Sequence, residues 1–201
     1  MWGNAYWSES YIQFLVKLIE HLDPSNLHGI EVHSGKANLS QLIQCIRVMI
    51  NEVENIRAKP IILIENRPKQ RIKDAEMILK FLNKLERDGS DIEDGVDFVI
   101  DIQQLRSSAF NTKQLLKWLE ILAKQRREKI RGWHIWSYKR QQSKEGAHWK
   151  LREDDIYVPW VKMIPRFFKE GDWCLPELWH KKYVKQAMVF TEKYLKNMHK
   201  S

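Results

Sequence analysis

The sequence predicts an α/β protein built on a parallel sheet. Five short apolar runs alternate along the 201 residues with longer segments whose apolar residues recur at helical spacing. The runs are almost continuously apolar, which is typical of parallel strands covered on both faces. Repetition of strand, helix and strand produces parallel strands joined by right-handed crossovers. These observations leave two architectures open, an open doubly wound sheet and part of a β/α barrel.

The predicted strands are too short for buried helices and rich in Val and Ile. Glycines stand at or just before several of them, where a helix must end and the chain must turn. In chain order the strands are HGIEVH (28–33), PIILIE (60–65), VDFVID (96–101), RGWHIW (131–136) and WCLPEL (173–178).

Helices are predicted between and around these strands, at residues 8–22, 39–56, 74–85, 112–122 and 183–195. Asn38 and Asn111 are suited to cap two of them. No Pro/Gly/Ser-rich linker divides the chain, so we expect a single domain over residues 1–201. Eight units of about 35 residues would exceed a typical barrel, and this chain begins on a helix. A barrel version of the fold would therefore lack the early strands.

Composition limits the classes of function. The chain is 43% hydrophobic, which is enough for a core, and has no apolar run long enough for a membrane helix. It has two cysteines, which make no disulfide framework, so we expect a reduced, cytoplasmic protein. The formal net charge of +8 suits a polyanionic partner such as DNA, and equally a solvated basic surface.

Each predicted strand carries a side chain capable of binding a metal at or near its carboxyl end: His33, Glu65, Asp101, His134 and Glu177. Parallel α/β folds place their chemistry at this end of the strands. Imidazoles mixed with carboxylates bind zinc or manganese. Acids ending such apolar strands need a partner, because buried carboxylates repel one another and lose solvation. The sequence therefore predicts a divalent-metal site.

Simpler interpretations of each residue stay open. Glu65 would pair with Arg67, and Asp101 with Arg106, as ordinary salt bridges. His33 would cap a helix or satisfy a backbone carbonyl, and His134 would be a buried, hydrogen-bonded core residue. His148, in the loop beyond the fourth strand, is either a further ligand or an exposed histidine.

Cations and aromatic side chains follow the same strand ends. Cations around an acidic centre suit a phosphate-bearing substrate, and aromatic rings suit a base or a sugar. We call this predicted set the rim, and its candidate substrate-binding members are Lys36, Arg67, Arg106, Trp136, Tyr138, Lys139 and Arg140, with Lys69, Arg71 and Trp149 beside them.

The motifs EVHSGK, ILIEN, VIDIQQ, WHIWSYK, GAHW and LPE, in this order, resemble the xylose-isomerase-like TIM barrels. Within them the chain is most similar to the endonuclease IV and UV-damage endonuclease branch, over the later part of the barrel. The resemblance implies a partial TIM-barrel-like fold of about five βα units. It also implies six metal ligands: His33, Glu65, Asp101, His134, His148 and Glu177.

That branch implies a metal-dependent phosphodiesterase acting on damaged DNA. Zinc or manganese would activate water, Glu65 or Glu177 would bridge two ions as catalytic carboxylates, and the rim would hold the DNA backbone. Gln104 departs from this pattern, because the family usually has a histidine there. The superfamily also implies a second candidate, a sugar isomerase or epimerase with one metal on Glu65, Asp101, His134 and Glu177.

A third candidate is a non-catalytic barrel remnant that binds a partner. In that case a missing barrel half or a second copy of the chain would cover the exposed edge strands.

Overall fold

A computed structural model describes residues 9–21, 29–54, 60–88, 92–136, 158–167, 169, 171–177 and 184–195. Backbone contacts divide the chain into two compact units, Met1–Val99 and Ile100–Ser201. That the chain forms a single domain over residues 1–201 remains a prediction.

The first unit is a three-stranded parallel sheet with helices between the strands. β2 is the middle strand and pairs with β1 on one side and β3 on the other. The register places His33 beside Glu65 at the carboxyl ends of β1 and β2. The elements in chain order are α1 (Glu9–Glu20), β1 (Gly29–His33), α2 (Leu39–Glu54), β2 (Ile61–Glu65), α3 (Ala75–Arg87), a 3-10 turn (Glu93–Gly95) and β3 (Val96–Asp101).

Polar side chains cap the first turns of α2 and α3. Asn38 caps α2 as predicted, since its side chain accepts a hydrogen bond from the Gln41 amide (2.9 Å) and its own amide donates to Oε1 of Gln41 (3.1 Å). This reciprocal pair is a capping box. Asp74 caps α3 by accepting from the Met77 amide (2.9 Å). Both caps fix where a helix leaves the end of a strand.

The core of the first unit lies between the strands and the apolar faces of α2 and α3. Ile62, Ile64 and Phe98 of the strands are fully buried, as is Phe81 of α3. The rings of Phe81 and Phe98 meet edge to face, with centroids 6.0 Å apart. Burial of these side chains supplies most of the driving force for folding this unit.

The second unit begins with the last two residues of β3 and contains a parallel pair of strands. Gly132 to Ile135 of one strand align with Trp173 to Pro176 of the other. The elements are α4 (Ile102–Ser108), α5 (Thr112–Gln125), a 3-10 turn (Arg127–Lys129), β4 (Ile130–Ile135), α6 (Val158–Val161), a 3-10 turn (Ile164–Phe167), β5 (Trp173–Pro176) and α7 (Val184–Leu195).

The predicted α/β class is confirmed. All five predicted strands form, they alternate with helices along the chain, and the strand pairs within each unit are parallel. Asn111 caps α5 as predicted by accepting from the Gln114 amide (3.0 Å). The short helices α4 and α6 were not predicted. The predicted loop beyond the fourth strand, which holds His148, lies outside the described residues.

No described helix is both long and apolar enough to cross a membrane.

Gly132 lies inside β4 because a neighbouring ring needs the space of its missing side chain. A Cβ at this position would collide with the indole of Trp173, the residue opposite it in β5. We expect Gly132→Ala to lower the free energy of unfolding by about 1–3 kcal/mol, the usual cost of overpacking. Urea denaturation measures this loss. Gly95→Ala is the control, since its Cβ would meet only the flexible end of Ile50 (2.8 Å). Equal losses in both variants would contradict the packing of Trp173 on Gly132.

The two cysteines are both shielded from solvent, to different degrees. Cys45 on α2 is buried, and Cys174 on β5 is half-buried. Burial raises the pKa of each thiol to about 12. At pH 8 only about one thiol in ten thousand is then ionised. We expect neither cysteine to react with iodoacetamide at pH 8 until the protein is unfolded, as mass spectrometry would show. Rapid labelling of the folded protein would contradict this burial.

Candidate metal centre

The carboxyl ends of the strands in the second unit bring three ligand-bearing side chains together. Asp101 ends β3, His134 lies in β4, and Glu177 directly follows β5. Each offers one ligand atom, and these atoms lie within 4.8 Å of one another. We call these three residues the triad.

Asp101 is fixed from two sides and fully buried. Its Oδ1 accepts a hydrogen bond from the Gln104 amide (2.9 Å), which makes Asp101 the N-cap of α4. Its Oδ2 accepts one from Nε1 of Trp136 (2.6 Å). These two hydrogen bonds fix the orientation of the carboxylate.

His134 is buried, and its ring lies beside Trp173 of β5 and Glu177, which follows β5. Its Nδ1 lies 3.7 Å from Oε2 of Glu177, and its ring centroid lies 5.6 Å from that of Trp173. The Glu177 amide donates to the carbonyl of Ile135 (3.1 Å), which holds the backbone of Glu177 against β4. Backbone pairing therefore sets the spacing between the histidine and the glutamate.

The triad fits a divalent metal by its donor set and its burial. Two carboxylates and an imidazole are the ligands that zinc and manganese share. Asp101 and His134 are 0% and 3% exposed, while the Glu177 side chain is 31% exposed. A cation bound between two acids so close together would remove their mutual repulsion. Three protein ligands leave coordination positions for water or substrate, as in catalytic zinc sites.

In the first unit the predicted ligands His33 and Glu65 meet each other and an arginine. Nε2 of His33 lies 2.7 Å from Oε2 of Glu65, and Nε of Arg67 lies 3.0 Å from the same oxygen. The Glu65 side chain is 1% exposed. The salt bridge between Glu65 and Arg67, one of the alternatives open from the sequence, is therefore present. Glu31, exposed and two residues before His33 on the same strand face, offers a third ligand atom within 4.8 Å of the other two.

Arg67 lies in a turn that is hydrogen-bonded to the loop following β1. The amide of Arg67 donates to the carbonyl of Ile72 (2.9 Å), and the amide of Ile72 donates to the buried hydroxyl of Ser34 (2.8 Å). The side chain of Gln70 accepts from the amide of Gly35 (3.0 Å). These bonds fix the backbone from which Arg67 reaches Glu65.

Only part of the predicted cationic rim faces solvent. Arg71 donates through Nε to the carbonyl of Ala37 (2.6 Å), and Arg106 donates through Nη1 to the carbonyl of Ala109 (3.3 Å). These guanidinium groups hold loops together. Among the rim cations that the structure describes, Lys36 and Lys69 are the exposed ones.

Trp136, a predicted member of the rim, is buried. It is 1% exposed, and its indole nitrogen binds Asp101 inside the protein. A tryptophan is amphipathic, and here its indole N–H donates to the buried carboxylate of Asp101 instead of to water. Five predicted residues lie outside the described part of the chain: Tyr138, Lys139, Arg140, His148 and Trp149.

Three residues near these ligands were missed from the sequence. Glu31 was missed although its two-residue spacing from His33 indicates a shared strand face. Trp173 was predicted only as part of a strand. The usable signal was a glycine inside one predicted strand and a tryptophan in the next, since the ring occupies the space that the glycine leaves. Gln103 is 1% exposed, and nothing in the sequence marks it as buried.

The bond from Trp136 to Asp101 gives a direct test of the orientation of the triad. Groups that orient a metal ligand contribute about 10–100-fold to metal affinity. We expect Trp136→Phe to weaken zinc binding by a factor in that range. Trp133→Phe is the matched control, since Trp133 is a fully buried indole of β4 whose nitrogen has no hydrogen-bond partner among the described residues. Equal affinities for both variants in a chelator competition titration would contradict a role for the bond.

Comparison with known proteins identifies the fold but no family. No protein-family model matches the sequence, and no curated protein matches it either. Among solved structures, the chain is similar to the 1.8 Å crystal structure of IolI protein with a bound zinc atom. The TM-score is 0.53 at 13% identity, over 94% of this chain and 66% of that chain.

At 13% identity this likeness shows the fold alone. The chain is thus a partial TIM-barrel-like α/β protein that spans 66% of the length of the structure it matches. The likeness gives no support to the endonuclease IV branch in particular.

Proposed function

We propose that this chain is a divalent-metal-dependent isomerase or epimerase that moves a proton beside a carbonyl of a sugar-like substrate. The observation that carries the proposal is the triad, which has the ligands and the burial for one metal ion. IolI, whose fold is similar, binds a zinc atom, and this supports the metal-binding part of the proposal.

The residues of the triad divide into buried and accessible ligands. Asp101 and His134 would hold the ion from inside the protein, and Glu177 would complete the ligand set where a substrate arrives. When bound, the ion would polarise the substrate carbonyl and so make the neighbouring C–H bond more acidic. A carboxylate then takes that proton and returns it. Glu65 and Glu177 are the carboxylates that the sequence predicts for this step.

Phosphodiester cleavage on damaged DNA is the second candidate function. The net charge of +8 favours it. The described rim is less favourable, because Arg71 and Arg106 donate to backbone carbonyls and Arg67 pairs with Glu65. A phosphate backbone would have to compete with these internal contacts, which is why we place the isomerase first.

Hydrogen exchange in deuterated water separates the two functions. The protein loaded with zinc or manganese is incubated with a panel of ketoses, and proton NMR follows loss of the signal beside the carbonyl. We expect metal-dependent deuterium incorporation into at least one sugar, reduced at least 100-fold in Glu177→Gln, since proton transfer by a positioned group contributes about 10²–10⁴-fold. A duplex containing an abasic site is tested in parallel. Strand cleavage without exchange into any sugar would overturn the proposal and favour the phosphodiesterase.

A further inference from the structure

We infer that Arg67 is the resident cation of a latent second metal site in the first unit, formed by Glu31, His33 and Glu65, and that it excludes a metal ion from this site. The three ligand atoms lie within 4.8 Å of one another. The donor set, two carboxylates and an imidazole, is the same as in the triad. The inference deepens the proposed function, since it restricts the enzyme to a single ion.

The Arg67 guanidinium already provides the positive charge that a metal would bring. Its Nε lies 3.0 Å from Oε2 of Glu65, the oxygen that also lies 2.7 Å from His33. A divalent ion bound by that oxygen and His33 would lie beside a fixed guanidinium. At such distances two cations repel strongly in a protein interior, because the effective dielectric constant is far below that of water.

Arg67 cannot easily move away to admit an ion. Its backbone is held by the hydrogen bond to Ile72, which is in turn bonded to the buried Ser34. Its side chain is 27% exposed, so most of it is enclosed. Expelling it would leave a charged group without the buried partner it has now, in addition to the cost of moving the turn.

The charge balance changes when Arg67 is replaced. In Arg67→Met the buried Glu65 loses its cation, while His33 and Glu31 remain near it. A divalent ion then becomes the available replacement, and the site becomes a three-ligand metal site like the triad. The methionine keeps much of the length and volume of the arginine stem.

Native mass spectrometry of the folded, full-length chain with zinc tests the inference. We expect about one ion in the wild type, two in Arg67→Met, none in His134→Ala and one in the double variant Arg67→Met/His134→Ala. Lys69→Met, which removes an exposed cation of the same turn, should keep one ion. Thermal melts accompany each measurement, and Arg67→Met should be stabilised by added zinc more than the wild type.

The outcomes separate this inference from the proposed function. An extra ion in Arg67→Met supports the inference even if the triad binds nothing. Arg67→Met/Glu65→Gln restores charge balance and removes a ligand, so it should fold and lose the extra ion. Two ions in the wild type, the second lost in His33→Ala, would overturn the inference. A folded Arg67→Met with no additional ion would overturn it as well.

Discussion

Replacing His134 with alanine is expected to weaken binding of zinc or manganese by at least 100-fold. Even groups that only orient a ligand contribute about 10–100-fold to affinity, and His134 is the only imidazole of the triad. Two carboxylates alone form a poor zinc site. Competition with a chromophoric chelator measures the loss.

Two further variants make the result specific. Glu177→Gln changes a half-exposed side chain, so it should weaken binding without disturbing the core. His21→Ala removes an imidazole at the end of α1, where His21 contacts only a carbonyl of its own helix among the contacts described. It should leave affinity unchanged. A His134→Ala protein that still binds the ion as tightly as the wild type would place the metal elsewhere.

Replacing Asp172 with alanine is expected to lower the free energy of unfolding by about 3–5 kcal/mol, the usual cost of removing one partner of a buried ion pair. Asp172 precedes β5 and pairs with Arg127, which lies just before β4. Their side chains are 1% and 18% exposed. Arg127 also donates to the carbonyl of Ile130 (3.0 Å). The pair therefore joins the amino ends of the two strands that carry His134 and Glu177.

Urea denaturation with a charge-free pair separates this electrostatic effect from packing. Arg127→Met/Asp172→Leu should lose much less stability than Asp172→Ala, because no buried charge is left alone. Asp88→Ala at the solvent-accessible pair of Lys84 and Asp88 should cost about 0.5 kcal/mol or less. Comparable losses at Asp172 and Asp88 would contradict the buried character of the first pair.

The strands were predictable because their signal is local. A parallel strand covered on both faces is a short apolar run, and an acid or histidine ending such a run is visible against it. The positions of Asp101, His134 and Glu177 follow from this pattern alone. Their approach to within 4.8 Å depends on pairing between strands far apart in the chain, which the sequence implies only through the general geometry of parallel sheets.

Other parts of the site depend on contacts that no local sequence pattern indicates. Helix α4 is short and begins directly at the end of β3, where Asp101 serves as strand end, helix cap and candidate ligand at once. The sequence allowed two roles for Arg67, a rim cation or a partner of Glu65. In the structure the turn between Arg67 and Ile72 places Arg67 beside Glu65, so the second role is the one observed. The sequence predicted Trp136 as a substrate-binding member of the rim and did not indicate its bond to Asp101, because Asp101 lies on another strand.

Anomalous diffraction from crystals of the zinc-loaded protein, measured at the zinc edge, tests the central claim most directly. We expect one anomalous peak per chain, within bonding distance of Asp101, His134 and Glu177. No peak beside these residues in crystals of the loaded protein, or a peak beside His33 and Glu65 in its place, would contradict it.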